Sequence, residues 1–198
     1  MINELIIASH NQGKITEFKN ILTPLGVKVY CADDFNLPDV EETGTTFAEN
    51  AHIKAETLAQ ISGKPCLADD SGLCVDSLNG APGVYSARYA PNRDFNLAMQ
   101  KLINELQAKS ATDWSAHFSC VLALKVPQQA VRLYEGRVDG IITPHRRGSN
   151  GFGYDPIFIP QGYAKTFAEM TAEEKAAISH RGRALKQFLK QEFNLADL

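Results

Sequence analysis

Residues 65–83 read PCLADDSGLCVDSLNGAPG, and two adjacent carboxylates stand at the centre of this stretch. Asp69 and Asp70 follow the apolar run 66–68 and precede the apolar run 73–75. Neighbouring side chains of a strand point to opposite faces, so at a strand end one carboxylate is placed to bind a metal ion while the other orients the loop. Asp, Ser and Gly are also common turn formers, so these residues fit a hairpin turn equally well.

The length and composition are those of a globular domain. A chain of 198 residues is long enough for one sizeable core, so we expect a single domain over residues 1–198, with room for two lobes. The charged fraction of 22% and the hydrophobic fraction of 44% exclude the disordered and fibrous classes. A net charge of -3 without a long basic run argues against a nucleic-acid polymer or a membrane as partner. A small phosphorylated ligand needs only a few local cations.

The four cysteines predict a reducing compartment. They are widely spaced, form no C-x-x-C pair and lie in apolar, strand-like runs, which is typical of buried free thiols. A zinc site is the weaker alternative, because no histidine falls at ligand spacing from a cysteine. No apolar run has the length of a membrane span or a signal-peptide core, so we expect a soluble, cytoplasmic protein.

Apolar periodicity predicts strands alternating with helices along most of the chain. The predicted strands cover residues 4–9, 27–31, 115–124, 130–138 and 157–159. The predicted helices cover residues 14–22, 47–61 and 95–106, with two more near the C-terminus. Capping boxes are expected where Thr46 precedes Glu49 and where Thr171 precedes Glu174. Residues 33–38 are expected to form a surface loop.

A candidate anion site lies near the N-terminus. A predicted strand ends at Ser9, a polar turn contains Asn11 and Gly13, and a predicted helix opens on Lys14. Helix N-termini present unpaired N–H groups that bind anions such as phosphate. The stretch is not a Walker A motif, because that motif needs a hydroxyl residue after the lysine and this chain has Ile15. By itself it fits better with an ordinary strand–helix connection and a solvated lysine.

Charged residues also gather around the helix predicted at residues 47–61. Glu41 and Glu42 come just before its start, where negative charge is favoured by the helix dipole, so end stabilisation alone explains them. Asn50 and Lys54 lie four residues apart on one helical face. A solvated face is the ordinary explanation of such a pair.

A glycine-rich loop precedes the last predicted strand. Residues 146–156 read RRGSNGFGYDP. Glycine lets the backbone approach a ligand closely, and an aromatic face can stack on a nucleotide base. A long, flexible hairpin end is the alternative.

Taken together, these segments predict a magnesium and triphosphate site. The acids are Glu41, Glu42, Asp69 and Asp70, and the cations are Lys14, Lys54, Lys175 and Arg181. Gathered carboxylates repel by about 4 kcal/mol per pair at ~4 Å and an effective dielectric of ~20, so they require a neutralising cation. Oxygen ligands favour Mg²⁺, and lysines beside Mg²⁺ suit a triphosphate.

Six motifs, in order along the chain, resemble those of the non-canonical purine nucleoside triphosphate pyrophosphatases, the inosine triphosphatase family. They are Ser9-x-Asn11-x-Gly13-Lys14, Glu41-Glu42-Thr43-Gly44-x-Thr46-Phe47-x-Glu49-Asn50-Ala51, Asp69-Asp70-Ser71-Gly72-Leu73, Gly80-Ala81-Pro82-Gly83-x-Tyr85-Ser86-Ala87-Arg88-Tyr89, Gly151-Phe152-Gly153-Tyr154-Asp155-Pro156 and Ser179-His180-Arg181-Gly182. Any one of them would be weak, whereas six in register over nearly the whole chain are specific.

The resemblance implies an α/β fold, with an elongated, twisted mixed β-sheet flanked by helices and two lobes with a central cleft. It implies a homodimeric, Mg²⁺-dependent house-cleaning enzyme. Such an enzyme hydrolyses ITP, dITP and XTP to the monophosphate and pyrophosphate, and so clears deaminated purines from the nucleotide pool.

The resemblance also implies roles for individual residues. Phosphates would be held by Ser9, Asn11, Gly13 and Lys14, with Lys54 assisting. Mg²⁺ would be bound by Glu42 and Asp70, and Asp70 would also accept a proton from the attacking water. Ser71 would contact the substrate. The base would be enclosed by Phe152, Gly153, Tyr154, Asp155, Lys175, His180 and Arg181.

Two other functions use the same side chains. A phosphatase that removes the terminal phosphate would release orthophosphate instead of pyrophosphate. A nucleotide sensor would bind without turnover, although a sensor has little need for several carboxylates beside the phosphates.

Overall fold

The protein is described here by a computed structural model that covers residues 2–195. Its strands are β1 Glu4–Ile7, β2 Lys28–Cys31, β3 Cys66–Val75, β4 Ser115–Lys125, β5 Arg132–Ile142 and β6 Phe158–Pro160. Its α-helices are α1 Gln12–Leu22, α2 Phe47–Ser62, α3 Phe95–Ala108, α4 Ala172–Ile178 and α5 His180–Phe193. Short 3-10 turns connect several of these elements.

The six strands form one mixed sheet in the order β2-β1-β3-β4-β5-β6. Strand β1 runs parallel to both of its neighbours, with Leu5 opposite Val29 of β2 and Ile6 opposite Cys66 of β3. Strand β6 pairs antiparallel with β5. Parallel strands need a crossover connection. Helix α1 connects the neighbours β1 and β2, and α2 connects β2 to β3 on the other side of β1. The predicted α/β fold with a mixed sheet and flanking helices is confirmed.

The interpretation of residues 69–72 as a hairpin turn is wrong. These residues lie inside β3, which continues without a break from Cys66 to Val75. Asp69 is 2% exposed and Asp70 is 5% exposed. Turn propensity is a local preference, and here the neighbouring strands of the sheet override it.

Most element boundaries and caps agree with the predictions. The side chains of Thr46 and Glu49 form the predicted capping box of α2, and Thr171 and Glu174 form that of α4. Strand β5 extends to Ile142, four residues beyond its predicted end. Within the predicted surface loop, a 3-10 turn covers Ala32–Phe35.

The chain divides into two compact units. The first unit consists of Met1–Asp70, Val121–Glu135 and Ala184–Leu198. The second unit consists of Ser71–Cys120 and Gly136–Arg183. The prediction of a single domain over residues 1–198 stays a prediction.

In the first unit, α2 packs on the sheet through small side chains. Ala51, Ala55 and Ala59 are buried against β1 and β3, in one cluster with Ile6 and Cys66. Small residues allow the helix axis to come close to the sheet, and burying apolar area contributes about 25 cal/mol per Å². This close packing holds one face of α2 beside the acidic part of β3.

In the second unit, the core is built around aromatic rings. Phe118 of β4 packs edge-on against Phe158 of β6, with ring centroids 4.7 Å apart. Leu102 and Leu106 of α3 are buried in the same cluster. This core supports the segments that follow β5, which carry the glycine-rich loop and α4.

The four cysteines are free, as predicted, and three of them are buried. Cys31 is partly exposed. Across residues 2–195 there is no helix with the length and apolar composition that a bilayer crossing requires.

Candidate functional site

In the first unit, side-chain hydrogen bonds order the turn before α1. Asn11 is the N-cap residue of α1, where its side-chain oxygen accepts a hydrogen bond from the Lys14 N–H. The N–H of Asn11 itself donates to Ser9 Oγ. The first turn of α1, which contains Gly13, has no acidic residue, so it leaves the positive end of the helix dipole available to an anion.

The Lys54 ammonium group of α2 joins the acidic residues. Its Nζ lies 2.8 Å from Glu42 Oε1 and 3.8 Å from Asp70 Oδ1, and it donates a 2.7 Å hydrogen bond to the Asp69 carbonyl oxygen. Burial lowers the pKa of Lys54, but the neighbouring carboxylates of Asp70, Glu42 and Asp69 outweigh it and raise this pKa. The ammonium group is therefore charged and shared between two acids.

Asp69 and Asp70 contact different lysines. The Asp69 carboxylate pairs with Lys14, with Nζ 2.7 Å from Oδ1, while Asp70 approaches Lys54. Adjacent side chains of a strand point to opposite faces, which explains why neighbouring carboxylates meet different partners. We call Lys14, Glu42, Lys54, Asp69 and Asp70 the Lys54 cluster.

The Asp70 carboxyl group is the most perturbed acid of this cluster. Its pKa is raised to about 6, mainly because burial disfavours the charged form. The negative charges of Glu42 and Asp69 add to the increase, and Lys54 and Lys14 oppose it. Carboxyl groups whose pKa is shifted this strongly by burial and neighbouring charges are common at functional sites.

The donor set of the Lys54 cluster fits Mg²⁺ carried by a phosphate ligand. Three carboxylates face two ammonium groups, so the cluster has an excess of negative charge that a cation would neutralise. Across residues 2–195, no group of three His, Cys, Asp or Glu side chains is arranged to hold a metal ion unaided. Mg²⁺ is commonly bound by one or two carboxylates together with water and substrate phosphates. Glu42 and Asp70 suit that mode of binding.

In the second unit, a buried ion pair lies under an aromatic ring. Lys175 of α4 is 7% exposed, and its Nζ lies 2.7 Å from Asp155 Oδ2. The same carboxylate oxygen accepts a hydrogen bond from the Phe152 N–H. The Lys175 ammonium also lies 4.7 Å from the centre of the Phe152 ring, a cation–π distance. We call Lys175 and Asp155 the Lys175 pair.

Glycines allow the loop to close around this pair. At Gly151, an added Cβ would lie 2.0 Å from Asp155 Oδ2, and the backbone φ is +71°. Gly153 also has a positive φ, +66°. Only glycine adopts this backbone easily, so the loop shape depends on both residues.

Arg181 and His180 lie at the start of α5 and make different contacts. Arg181 donates from Nη2 to Ser71 Oγ at 3.0 Å, and its guanidinium carbon is 5.7 Å from the Phe152 ring centre. The His180 ring stacks on Phe118, with centroids 4.7 Å apart. Arg181 therefore belongs to the group around Phe152, whereas His180 lies against the core.

Tyr154 is a core residue in the second unit. It is 2% exposed, its ring packs edge-on against Phe95, and its hydroxyl donates to the Ser86 carbonyl oxygen. Burial raises the pKa of its hydroxyl group. The tyrosine side chain thus anchors the glycine-rich loop to the core of the second unit. The backbone of the loop, and not this side chain, lies near the Lys175 pair.

Two features of these groups were not visible in the sequence. The sequence predicts a solvated helix face for Asn50 and Lys54. This prediction is wrong, because Asn50 is fully buried and Lys54 contacts acidic side chains. The pairing of Asp69 with Lys14 was also missed. No local pattern indicates either contact, since each joins separate elements. Glu41 is exposed, next to the partly buried Glu42.

Comparison with known proteins shows which family shares this sequence and this fold. The sequence profile of the Ham1 family matches residues 5–191. A dITP/XTP pyrophosphatase of Mesorhizobium japonicum is 45% identical over 98% of this chain and 96% of its own length, and one of Bacillus licheniformis is 50% identical over 94% and 96%. The structure of a HAM1 protein from Coxiella burnetii superposes with a TM-score of 0.90 at 44% identity, over 98% of this chain and 100% of its own. A chain that shares sequence and fold over this length belongs to the Ham1 family.

Proposed function

We propose that this chain hydrolyses the triphosphates of deaminated purines, dITP, ITP and XTP, to the monophosphate and pyrophosphate, and so clears them from the nucleotide pool. The observation that supports this most strongly is the Lys54 cluster, where Glu42 and Asp70 share one ammonium group. The relatives named dITP/XTP pyrophosphatases, at 45% and 50% identity, support the same substrate class.

Mg²⁺ is the proposed cofactor, held by Glu42 and Asp70. When bound, it would neutralise charge on the phosphate oxygens during hydrolysis. Ser9, Asn11, Gly13 and Lys14 at the start of α1 are proposed to hold the phosphates, with Lys54 assisting.

Asp70 is the proposed proton acceptor. In the metal-free protein its pKa of about 6 leaves it ionised at neutral pH, and an ionised carboxylate can accept a proton from water. As Asp70 takes the proton from water, the water oxygen bonds to the α-phosphorus. The bond from the α-phosphorus to the bridging oxygen then breaks, and its electron pair leaves with pyrophosphate.

The proposed base site belongs to the second unit. Phe152 offers a ring for stacking, and Lys175 and Arg181 are donors for the 6-oxo group of hypoxanthine or xanthine. His180, which stacks on Phe118, is proposed to close the base site from the side of the core. Adenine has an amino group at this position, and unmet hydrogen bonds of this kind discriminate by about 10⁴ to 10⁵. The remaining proposed substrate contacts are Ser71, Gly153, Tyr154 and Asp155. Tyr154 would act through the loop that it anchors.

Product analysis tests this function. The protein is incubated with dITP, XTP, dGTP or dATP and Mg²⁺ in ¹⁸O-labelled water, and the products are identified by ³¹P NMR and mass spectrometry. We expect pyrophosphate and a monophosphate that carries the label, because the attack is at the α-phosphorus. Orthophosphate with a diphosphate would support the terminal phosphatase instead, and binding without any product would support the sensor.

We further propose that the enzyme is a cytoplasmic homodimer. The free cysteines suit a reducing compartment, and the dimer rests on the family resemblance. Light scattering coupled to size-exclusion chromatography measures the mass directly, and a monomer mass at micromolar concentration would contradict the dimer.

A further inference from the structure

The loop that carries Glu42 has no helix or strand of its own. Between Leu37 and Phe47 the backbone is irregular, so its position depends on contacts with other elements. Glu42 is proposed above to bind Mg²⁺, and a metal ligand needs a fixed position to be effective. The question is which side chains hold this loop in place.

We infer that Asn50 is a positioning residue for Glu42: its buried side chain holds the Gly44 backbone, and this sets where the Glu42 carboxylate lies. The inference rests on the role proposed for Glu42. Asn50 Oδ1 accepts a 2.8 Å hydrogen bond from the Gly44 N–H. Asn50 itself is 0% exposed, so it acts on the loop and not on a ligand.

The loop approaches α2 too closely for a side chain at residue 44. A Cβ on Gly44 would lie 2.6 Å from Glu49 Cβ and 2.7 Å from Asn50 Oδ1. Glu49 Oε2 accepts hydrogen bonds from the next two backbone N–H groups, those of Thr45 and Thr46. Three consecutive N–H groups of the loop are therefore held by two adjacent side chains of α2.

Helix α2 holds the loop at a second point, one turn further on. Lys54 follows Asn50 by four residues and so lies on the same helical face, where its Nζ contacts the Glu42 carboxylate at 2.8 Å. Gly44 is only two residues from Glu42, a chain reach of about 7 Å. Fixing the Gly44 N–H therefore restricts the positions that Glu42 can take relative to Lys54.

The two polar atoms of the Asn50 side chain differ in their contacts. Among residues 2–195, its Nδ2 has no protein partner although it is buried, whereas its Oδ1 satisfies the Gly44 N–H. Removing the partner of a backbone N–H group destabilises the arrangement that holds it, so this side chain acts on the fold through the loop. The hydrogen bond to Gly44 is the contact that an apolar residue of similar size would lose.

Cation binding by Asn50→Ala and Gly44→Ala variants tests the inference. The first variant removes the hydrogen bond, and the second keeps Asn50 but displaces the loop. We measure by electron paramagnetic resonance the binding of Mn²⁺ to protein saturated with pyrophosphate, and the Mg²⁺ concentration that gives half-maximal dITP hydrolysis. We expect each variant to weaken Mn²⁺ binding and raise the half-saturating Mg²⁺ about 10-fold. The maximal rate at saturating Mg²⁺ should fall less than about 3-fold.

A control and a double variant separate positioning from stability. Ser62→Ala removes a hydrogen bond to the Leu58 carbonyl oxygen at the other end of the same helix, and we expect its cation dependence to match that of the wild-type protein. In a Glu42→Gln background, adding Asn50→Ala should weaken Mn²⁺ binding less than about 2-fold, because Asn50 acts through Glu42.

Three results would overturn the inference. The first is an Asn50→Ala protein whose Mn²⁺ binding is within about 2-fold of wild type. The second is a double variant in which the losses of Mn²⁺ affinity caused by Asn50→Ala and Glu42→Gln multiply. The third is a wild-type protein that binds no Mn²⁺. If Asn50→Ala does not fold, Gly44→Ala decides by the same criteria. The outcome differs if Mn²⁺ binding depends on both Glu42 and Asn50 but the wild-type protein releases no pyrophosphate from dITP. The proposed function then fails and this inference stands.

Discussion

The Lys54 cluster and the Lys175 pair use the same residue types in opposite ways. In the Lys54 cluster, Asp70 shares Lys54 with Glu42 and lies 3.8 Å from its ammonium nitrogen. In the Lys175 pair, one carboxylate meets one ammonium at 2.7 Å. In the first arrangement three carboxylates face two ammonium groups, and in the second one carboxylate faces one ammonium group.

The difference suits the separate roles proposed for the two groups. A cluster with more carboxylates than ammonium groups is stabilised by an added cation, which is the part proposed for Mg²⁺. A balanced ion pair under an aromatic ring adds no net charge of its own, which suits the neutral base that is proposed to stack on that ring. This contrast is tested by variants that remove one charge from the Lys175 pair or one negative charge from the Lys54 cluster.

The largest effect is expected from Asp70→Asn. The amide can neither accept the proton from water nor bind a cation as a carboxylate does, so kcat for dITP should fall by about 10³ to 10⁴. Steady-state kinetics at saturating Mg²⁺ measures it. Asp76→Asn, an acid outside the Lys54 cluster, is the control. Turnover within about 10-fold of wild type would remove Asp70 from its proposed role.

Lys175→Met should destabilise the fold by about 3 to 5 kcal/mol. It leaves the Asp155 carboxylate buried without its ammonium partner, which is the costly way to break an ion pair. Chemical denaturation measures the free energy of unfolding. Adding Asp155→Leu should restore much of the loss, because the unpaired charge is then removed. A double variant as unstable as the single one would show that charge balance is not what stabilises this pair.

Lys14→Ala should raise KM for dITP by about 10- to 100-fold, or ~1.4 to 2.7 kcal/mol, because a charged donor to the phosphates is lost. Lys19→Ala, on the same helix but away from its first turn, provides the matched comparison. If both variants raise KM equally, net charge and not the position of Lys14 explains the effect.

The raised pKa of Asp70 predicts a pH dependence of stability in metal-free protein. In the unfolded chain this carboxyl loses its proton near pH 3.8, and in the folded protein near pH 6. The folded state thus binds more protons in between, so its stability falls by about 1 to 2 kcal/mol as pH rises from 4 to 6 and then levels off.

Asp70→Asn should lack this contribution and be more stable than wild type at pH 7 in EDTA. Urea unfolding of both proteins from pH 4 to 7 measures the difference. Identical pH profiles would mean that burial does not disfavour the Asp70 charge. Added Mg²⁺ should reduce the difference, since a cation stabilises the ionised carboxylate.

The smallest effect is expected from Tyr154→Phe. It removes one hydrogen bond, to the Ser86 carbonyl oxygen, and should lower stability by about 1 kcal/mol. KM for dITP should change less than about 2-fold, whereas Phe152→Ala should raise it more, because only Phe152 offers its ring to the base. A large rise in KM for Tyr154→Phe would place its hydroxyl on the substrate.

Local spacing predicts helix caps correctly in this chain, and it does not predict turns equally well. The two capping boxes depend on residues three apart, and both form as expected. The turn at residues 69–72 was equally local in its evidence and is wrong, because pairing within the sheet overrides a turn preference. The prediction of a solvated helix face for Asn50 and Lys54 is wrong for a related reason. Periodicity shows which residues share a helical face, and it does not show what that face meets.

By itself, the sequence determined the helices and most strands, their caps and the family, because these depend on spacings of a few residues and on motifs in order. Only the tertiary structure decided which charges meet. Lys54 reaches Glu42 and Asp70 because the alanines of α2 let the helix lie close to the sheet. Lys175 finds Asp155 because glycines let the loop fold tightly around it. Electrostatic partners are set by distances in space, and those distances follow from packing that no local pattern encodes.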